Sequence, residues 1–360
     1  MKSTPFTPIH ESLNAKMAEF AGFNMPISYG SIQDEHHNVR KNVGVFDVSH
    51  MGEFIVRGPK ALEFIQHFSS NDVRKLYPGK VQYSCILNAN GGIVDDMLVY
   101  HLPDGTYMLV VNASNIDKDW AYISQFVPKE GLELINISDK TALLAVQGPN
   151  AAAVLQPLTD LNLTDMPYYT CQKGIFADAE KVLISSTGYT GAGGFEVYFY
   201  DKYAQQIWDS IMKSGEKYGI QPAGLAARDT LRLEKGFCLY GNDITDETTP
   251  IEAGLGWITK LKKGDFVAKE LLTKQKQQGV SRKLRGLEIL GKGIARHGYP
   301  IVDSEGNKIG EVTSGTKSPS LGKAIAMGYL EVYQAALGNE VFIQIRKKTV
   351  AAKVVKLPFL

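Results

Sequence analysis

Alternating apolar and polar residues mark strands along much of this chain, and two groups of such runs repeat one another. Phe54-Ile55-Val56-Arg57 leads through Gly58-Pro59 toward an apolar helical pattern at Ala61, and Leu144-Ala145-Val146-Gln147 leads through Gly148-Pro149 toward another at Ala151. Glycine supplies the turn in each, and proline near a helix start gives up an N–H that the helix does not use. Farther on, Tyr107-Met108-Leu109-Val110-Val111 precedes a helix around Trp120 and Ile123, with Ser114 and Asp117 spaced as a capping box. Phe195-Glu196-Val197-Tyr198-Phe199 likewise precedes a helix around Trp208 and Ile211. Each group reads strand, helix, antiparallel strands, helix. The pattern predicts an α+β protein with two related units of ferredoxin-like type.

A different texture follows. A helix is expected from Asp265 to about Lys276, then a polar, basic connector, Gln277-Gln278-Gly279-Val280-Ser281-Arg282-Lys283. Residues 1–276 thus form one region holding both repeats, and residues 284–360 a second. In the latter, short alternating strands such as Leu284-Arg285-Gly286-Leu287-Glu288-Ile289-Leu290 and Val341-Phe342-Ile343-Gln344-Ile345 lie between glycine-rich turns. A small antiparallel β-barrel is expected there.

With 360 residues, 44% hydrophobic and 21% charged, the chain has the composition of a globular protein of two or three domains. A net charge of +1 gives no electrostatic reason to expect nucleic acid or an anionic membrane as partner. Cys85, Cys171 and Cys238 are far apart and form no CxxC pair, which suits a reducing compartment and argues against a zinc cage, so no metal is expected. The adjacent His36-His37 pair is expected on a solvated face. Met1-Lys2-Ser3-Thr4-Pro5 lacks the apolar core of a signal peptide, and no run approaches the roughly 20 apolar residues of a membrane span. A cytoplasmic location is expected.

Chemistry concentrates in a few strands. Ile93-Val94-Asp95-Asp96-Met97-Leu98-Val99-Tyr100 sets two carboxylates in an apolar run after the turn signal Asn90-Gly91. Because side chains alternate, at least one of them must sit among hydrophobic groups, where a carboxylate is either paired or poised for proton chemistry. A two-residue type I′ loop would place Cys85 opposite Asp96, with Tyr83 diagonal to it and Tyr100 on the same face. That makes a wall suited to a flat aromatic ligand, or a buried Asp held by two tyrosine hydroxyls. Glu196 is another carboxylate in a strand, and it follows the turn Gly188-Tyr189-Thr190-Gly191-Ala192-Gly193-Gly194. This turn opens a strand and no helix, so it is not a dinucleotide loop, and Gly286 to Lys292 lacks the hydroxyl of a phosphate loop. Arg228 lies one turn from Leu225 and Leu231 on an apolar helix face, and a partly buried arginine takes an anionic partner: Glu196, Asp229 or a ligand carboxylate.

Together these segments resemble the aminomethyltransferase family, the T-proteins of the glycine cleavage system. The likeness runs through Val45-Phe46-Asp47-Val48-Ser49-His50-Met51-Gly52, Gly91-Gly92-Ile93-Val94-Asp95-Asp96, Ser186-Thr187-Gly188-Tyr189-Thr190-Gly191, Ala227-Arg228-Asp229-Thr230-Leu231-Arg232-Leu233-Glu234 and Pro250-Ile251-Glu252-Ala253-Gly254-Leu255. It implies a three-domain cloverleaf around a central folate pocket, with tetrahydrofolate as co-substrate. The lipoylated H-protein would carry the aminomethyl group, and ammonia and 5,10-methylenetetrahydrofolate would be the products. It also implies that Asp96 is the catalytic carboxylate and that Glu196 holds the pterin, while Arg228, Tyr189, Tyr83, Tyr100, Asn112 and Met51 belong to the folate pocket. Trp257 and the loop from Gly254 to Gly256 would shape its rim. Phe23 stands where the family commonly has Trp, and the chain stops at Lys356-Leu357-Pro358-Phe359-Leu360 where relatives often continue with basic residues. A non-catalytic folate-binding scaffold and a folate-dependent demethylase are the alternatives.

Overall fold

The computed structural model describes every residue except Lys347. The chain divides into two compact units. One holds Met1–Gln66, Asp72–Ser84 and Met97–Arg228, and the other holds His67–Asn71, Cys85–Asp96 and Asp229–Leu360.

The repetition seen in the sequence is a repetition of sheet topology. One sheet has the strand order Val81–Leu87, Ile93–His101, Tyr107–Val111, Gly52–Arg57, Glu133–Asn136. The other runs Cys171–Phe176, Ala179–Ser185, Gly194–Tyr200, Thr141–Gln147, and continues with Gly44–Asp47 and Gln221–Pro222. Counted from the strand that precedes each Gly-Pro pair, both sheets run second, third, fourth, first. Gly58 and Gly148 have φ of +115° and +130°, and a Cβ on either would come within 2.6 Å of a backbone carbonyl oxygen, that of Gly131 and of Asn42 respectively. Glycine is required at both turns because the chain passes so close. The helices Ala61–Phe68 and Ala151–Leu155 follow.

Each sheet has one apolar face. In the second, Ala142, Leu144 and Val146 pair with Phe199, Val197 and Phe195, and all six join Ile207, Trp208 and Ile211 of the helix Ala204–Gly215 in one core. The intervening residues, Glu196 and Tyr198, face the opposite way with Ala145 and Leu143. In the first sheet Phe54 turns to its helix side and meets the Trp120 ring at 5.2 Å. The helix Ile116–Ser124 has Asn115 at its cap with no side-chain capping bond, so the Ser114/Asp117 box does not form.

In the second unit, antiparallel strands close a barrel in the order Arg282–Ile289, Ala324–Glu331, Lys308–Lys317, Pro300–Val302, Glu340–Ile345, Lys348–Val355, with the last pairing back to the first. Leu287, Ile301, Val312, Leu330, Ile343 and Val354 fill its interior. The helix before it spans Lys269–Gln278 and not 265–276, because Ala268 takes a left-handed φ of +61° that no helix can run through. His36 departs from expectation as well. It lies on the helix Ile32–Lys41 and is fully buried, packed edge-on to the His37 ring at 5.6 Å. Among the described residues, no helix is long and apolar enough to cross a membrane.

Arg232 is the largest fully buried side chain among the described residues, and it lies in the second unit. Its Nε donates to Asp229 Oδ1 at 2.8 Å, Nη1 to Asp243 Oδ2 at 2.7 Å and to the Phe237 carbonyl at 2.9 Å, and Nη2 to Ser314 Oγ at 2.9 Å. Asp243 also accepts from Thr313, Ser314 and the Leu239 N–H. Glu234, two residues further along the helix, accepts from Ser318 and Ser320 through its carboxylate and from the Phe359 and Leu360 N–H groups through its carbonyl. Removing one partner of such a buried pair strands the other charge. Arg232→Ala should lower unfolding free energy by about 3–5 kcal/mol in chemical denaturation; unchanged stability would show that the network carries no load.

Candidate functional site

Glu196 is the centre of a hydroxyl network in the first unit. Its Oε2 accepts from Thr187 Oγ1 at 2.5 Å and from the Tyr198 hydroxyl at 3.4 Å. Thr187 Oγ1 also lies 2.9 Å from Ser185 Oγ and 3.3 Å from the Tyr100 hydroxyl, and the Tyr100 and Tyr198 hydroxyls are 2.9 Å apart. This last contact joins the polar faces of the two sheets. Burial pushes the Glu196 carboxyl up from the ordinary carboxylate range, while the Thr187 hydrogen bond, the Arg228 charge and Tyr198 pull it back. Among the described residues, the hydrogen bonds to this carboxylate fall on Oε2. Oε1 therefore has acceptor capacity left for a ligand's N–H groups.

The glycine-rich turn is held from below by Gln147. Its amide donates to the carbonyls of Thr187 and Phe195 and its oxygen accepts from Thr190 Oγ1 at 2.8 Å. A Cβ on Gly188 would stand 2.0 Å from that oxygen, so any larger residue would have to displace the Gln147 amide. The turn then enters the strand Gly194–Tyr200, as its sequence context requires. Tyr189 on the turn is half-buried beneath the Arg228 guanidinium, 4.5 Å from its ring centroid.

Met51, Tyr83 and Asn112 are half-buried in this unit, and Tyr100 is fully enclosed. Tyr100 is thus linked to Glu196 through Thr187 and Tyr198. Asp96 belongs to the second unit. Its neighbour Asp95 is fully buried, whereas Asp96 is half-buried, so the alternation along Ile93–His101 separates a core carboxylate from an accessible one. The hairpin before it differs from expectation. Asn88 N–H bonds the Gly92 carbonyl at 2.9 Å, which makes a three-residue loop and not a two-residue type I′ turn. Asn88 Oδ1 caps it by accepting from Asn90 and Gly92, and Gly92 lies so close to the Asp246 carbonyl that a Cβ would come within 1.7 Å. Burial pushes the Cys85 thiol well up, and Asp96 is the largest of the charges that add to this. Trp257 is exposed.

Two buried groups escaped the sequence reading. His50 is 2% exposed, edge-on to Phe20 at 5.4 Å, and its Nδ1 meets no partner among the described residues. Burial, and then the Arg228 charge, push its imidazole down to about 4. Glu53 is also buried, and neither of its carboxyl oxygens has a hydrogen-bond partner among the described residues. Its signal was available: Gly52-Glu53-Phe54-Ile55-Val56 sets a carboxylate in an apolar strand, as Asp95-Asp96 does. Among the described residues, no group of three or more His, Cys, Asp or Glu residues is placed to hold a metal.

The family model of the GCVT N-terminal domain matches residues 6–263, and that of the glycine cleavage T-protein C-terminal barrel domain matches residues 282–360. The aminomethyltransferase of Bacteroides fragilis is 57% identical over 360 residues, covering 100% of this chain and 99% of that protein. That of Halothermothrix orenii is 48% identical with full coverage of both. The crystal structure of the glycine cleavage system aminomethyltransferase T from Bartonella henselae superposes with a TM-score of 0.93 at 37% identity, covering 100% of this chain and 98% of that one. Fold and relatives define a one-carbon transferase with tetrahydrofolate as co-substrate. The chain belongs to the glycine cleavage T-protein family, and its activity is folate-dependent aminomethyl transfer.

His50 also sets a pH dependence. Its folded pKa of about 4 lies below the unfolded value of 6.5, so the unfolded chain binds the proton more readily. Stability is then full above pH 6.5 and falls as pH drops toward 4, by up to about 3 kcal/mol from this residue. Denaturation midpoints between pH 7 and 4 should show a shallower decline in His50→Gln; parallel curves would rule His50 out as the cause.

Proposed function

We propose that Glu196 holds the pterin of tetrahydrofolate and that Asp96 is the catalytic carboxylate, with the aminomethyl group delivered on the lipoyl sulfur of H-protein. The open Oε1 of Glu196, beside an Oε2 fixed by Thr187, is the observation that carries the pterin assignment. A pterin edge presents adjacent N–H donors, and an ionised carboxylate accepts two of them at once. The Arg228 charge offsets part of the upward push that burial gives the Glu196 carboxyl, and its guanidinium rests on Tyr189. Met51, Tyr83 and Asn112 complete the pocket, and Tyr100 positions the hydroxyls behind Glu196.

Asp96 accepts a proton from a folate nitrogen, or offsets positive charge where it develops as ammonia leaves. Its half-buried setting after a carboxylate-bearing apolar run suits either role. The products are ammonia, the dihydrolipoyl carrier and 5,10-methylenetetrahydrofolate. We assign the reaction to the cytoplasm, where the three free cysteines of this chain and a dithiol carrier stay reduced.

Single-turnover ammonia release from aminomethyl-loaded H-protein tests this. With saturating tetrahydrofolate the wild type should release ammonia rapidly, and Asp96→Asn should be slower by on the order of 10² or more with an unchanged melting temperature. Release at the wild-type rate would remove Asp96 from the mechanism.

A further inference from the structure

Glu53 is a buried carboxyl whose two oxygens meet no hydrogen-bond partner among the described residues. Val110 pairs with Glu53 on one side and with Leu98 on the other, and Met108 pairs with Ile55 and with Tyr100. Cross-strand partners share a face, so Glu53 stands on the same face as Tyr100, the face that reaches Tyr198 of the other sheet. Its reach to that side shows in the charges. Glu196 acts on the Glu53 carboxyl, and Glu53 acts on the Tyr198 hydroxyl. Yet the side chain is 1% exposed and makes no hydrogen bond among the described residues, although its backbone N–H and carbonyl are both bonded to Ser138 Oγ.

An orphan carboxyl of this kind costs stability, and an apolar residue of similar shape would serve the fold as well or better. We propose that Glu53 is a second contact for the folate ring, its carboxyl donating a hydrogen bond to an acceptor on the pterin edge whose N–H groups bind Glu196. This rests on the assignment of Glu196 to the pterin. A reduced pterin carries ring acceptors beside its paired donors, so an ionised carboxylate and a neutral carboxylic acid together match both kinds of group. Burial pushes the Glu53 carboxyl well above the ordinary carboxylate range, and the neighbouring Glu196 adds to this, which favours the protonated, donating form. The two glutamates divide the work of acceptor and donor.

Tetrahydrofolate binding under nitrogen to the full chain, by titration calorimetry, tests the assignment in wild type, Glu53→Gln, Glu53→Leu and Glu196→Gln. Gln keeps an N–H donor and should bind within about threefold of wild type. Leu should weaken binding about tenfold or more while its melting temperature equals or exceeds that of wild type. Infrared spectra should show the carbonyl stretch of a protonated carboxylic acid that is absent in Glu53→Gln and that shifts when tetrahydrofolate is added. If Glu53→Leu binds as tightly as wild type while Glu196→Gln binds weakly, Glu53 has no ligand role and the Glu196 assignment stands. Wild-type binding by Glu196→Gln would remove the pterin assignment, and this one with it. Should Glu53→Leu fail to fold, a carbonyl band unmoved by tetrahydrofolate would overturn the proposal.

Discussion

Taking a carboxylate out of water costs several kcal/mol unless donors or a cation replace the solvent, and the arrangement of this chain follows how that cost is met at each buried acid. Asp243 is fully enclosed and receives a guanidinium, two hydroxyls and a backbone N–H. Glu234, equally buried, receives two serine hydroxyls and a backbone N–H. These acids are satisfied within the protein, and their role is to fix the helix Leu225–Glu234 against the barrel loops and the C-terminal residues. Among the described residues, Glu196 finds hydrogen-bond donors on one oxygen and Glu53 on neither.

The duplicated sheets make that difference tolerable. Each buries one face against helices through large aliphatic and aromatic side chains, at roughly 1.5–3 kcal/mol for each fully buried one. The other face is then free to carry Glu196, Tyr198, Tyr100 and Glu53 without the sheet losing its hold. Hydroxyls dominate this polar face. They can donate or accept as a neighbour requires, so Thr187 serves Ser185, Tyr100 and Glu196 at once. Such a preset wall leaves little reorganisation for any ligand that would bind against it.

Glycine marks the places where backbone meets backbone or a polar side chain. Gly58 and Gly148 permit the equivalent turn in the two repeats, Gly188 lets Gln147 lie under the site turn, and Gly92 admits the Asp246 carbonyl beside the hairpin that precedes Asp96. In each case a methyl group would displace a group that holds the site or the fold. The tight approach therefore belongs to function as much as to stability.

By itself the sequence determined the local order of elements: strand, Gly-Pro turn, helix, twice over, then a barrel of short strands. Those features depend on side-chain periodicity and turn chemistry, which act between near neighbours. It also singled out Asp96, Glu196 and Arg228, because a charge inside an apolar run is visible without knowing what surrounds it. Glu53 and His50 sit in runs that carry the same signal, yet their burial depends on a facing sheet and on aromatic rings distant in the chain. The hairpin loop at Asn88 to Gly92 and the burial of His36 were likewise set by packing, since Asp246 sits over the turn and the inner face of helix Ile32–Lys41 is covered. Tertiary structure alone decided which buried acids found donors among the described residues and which did not, because that sum runs over partners separated by tens of residues.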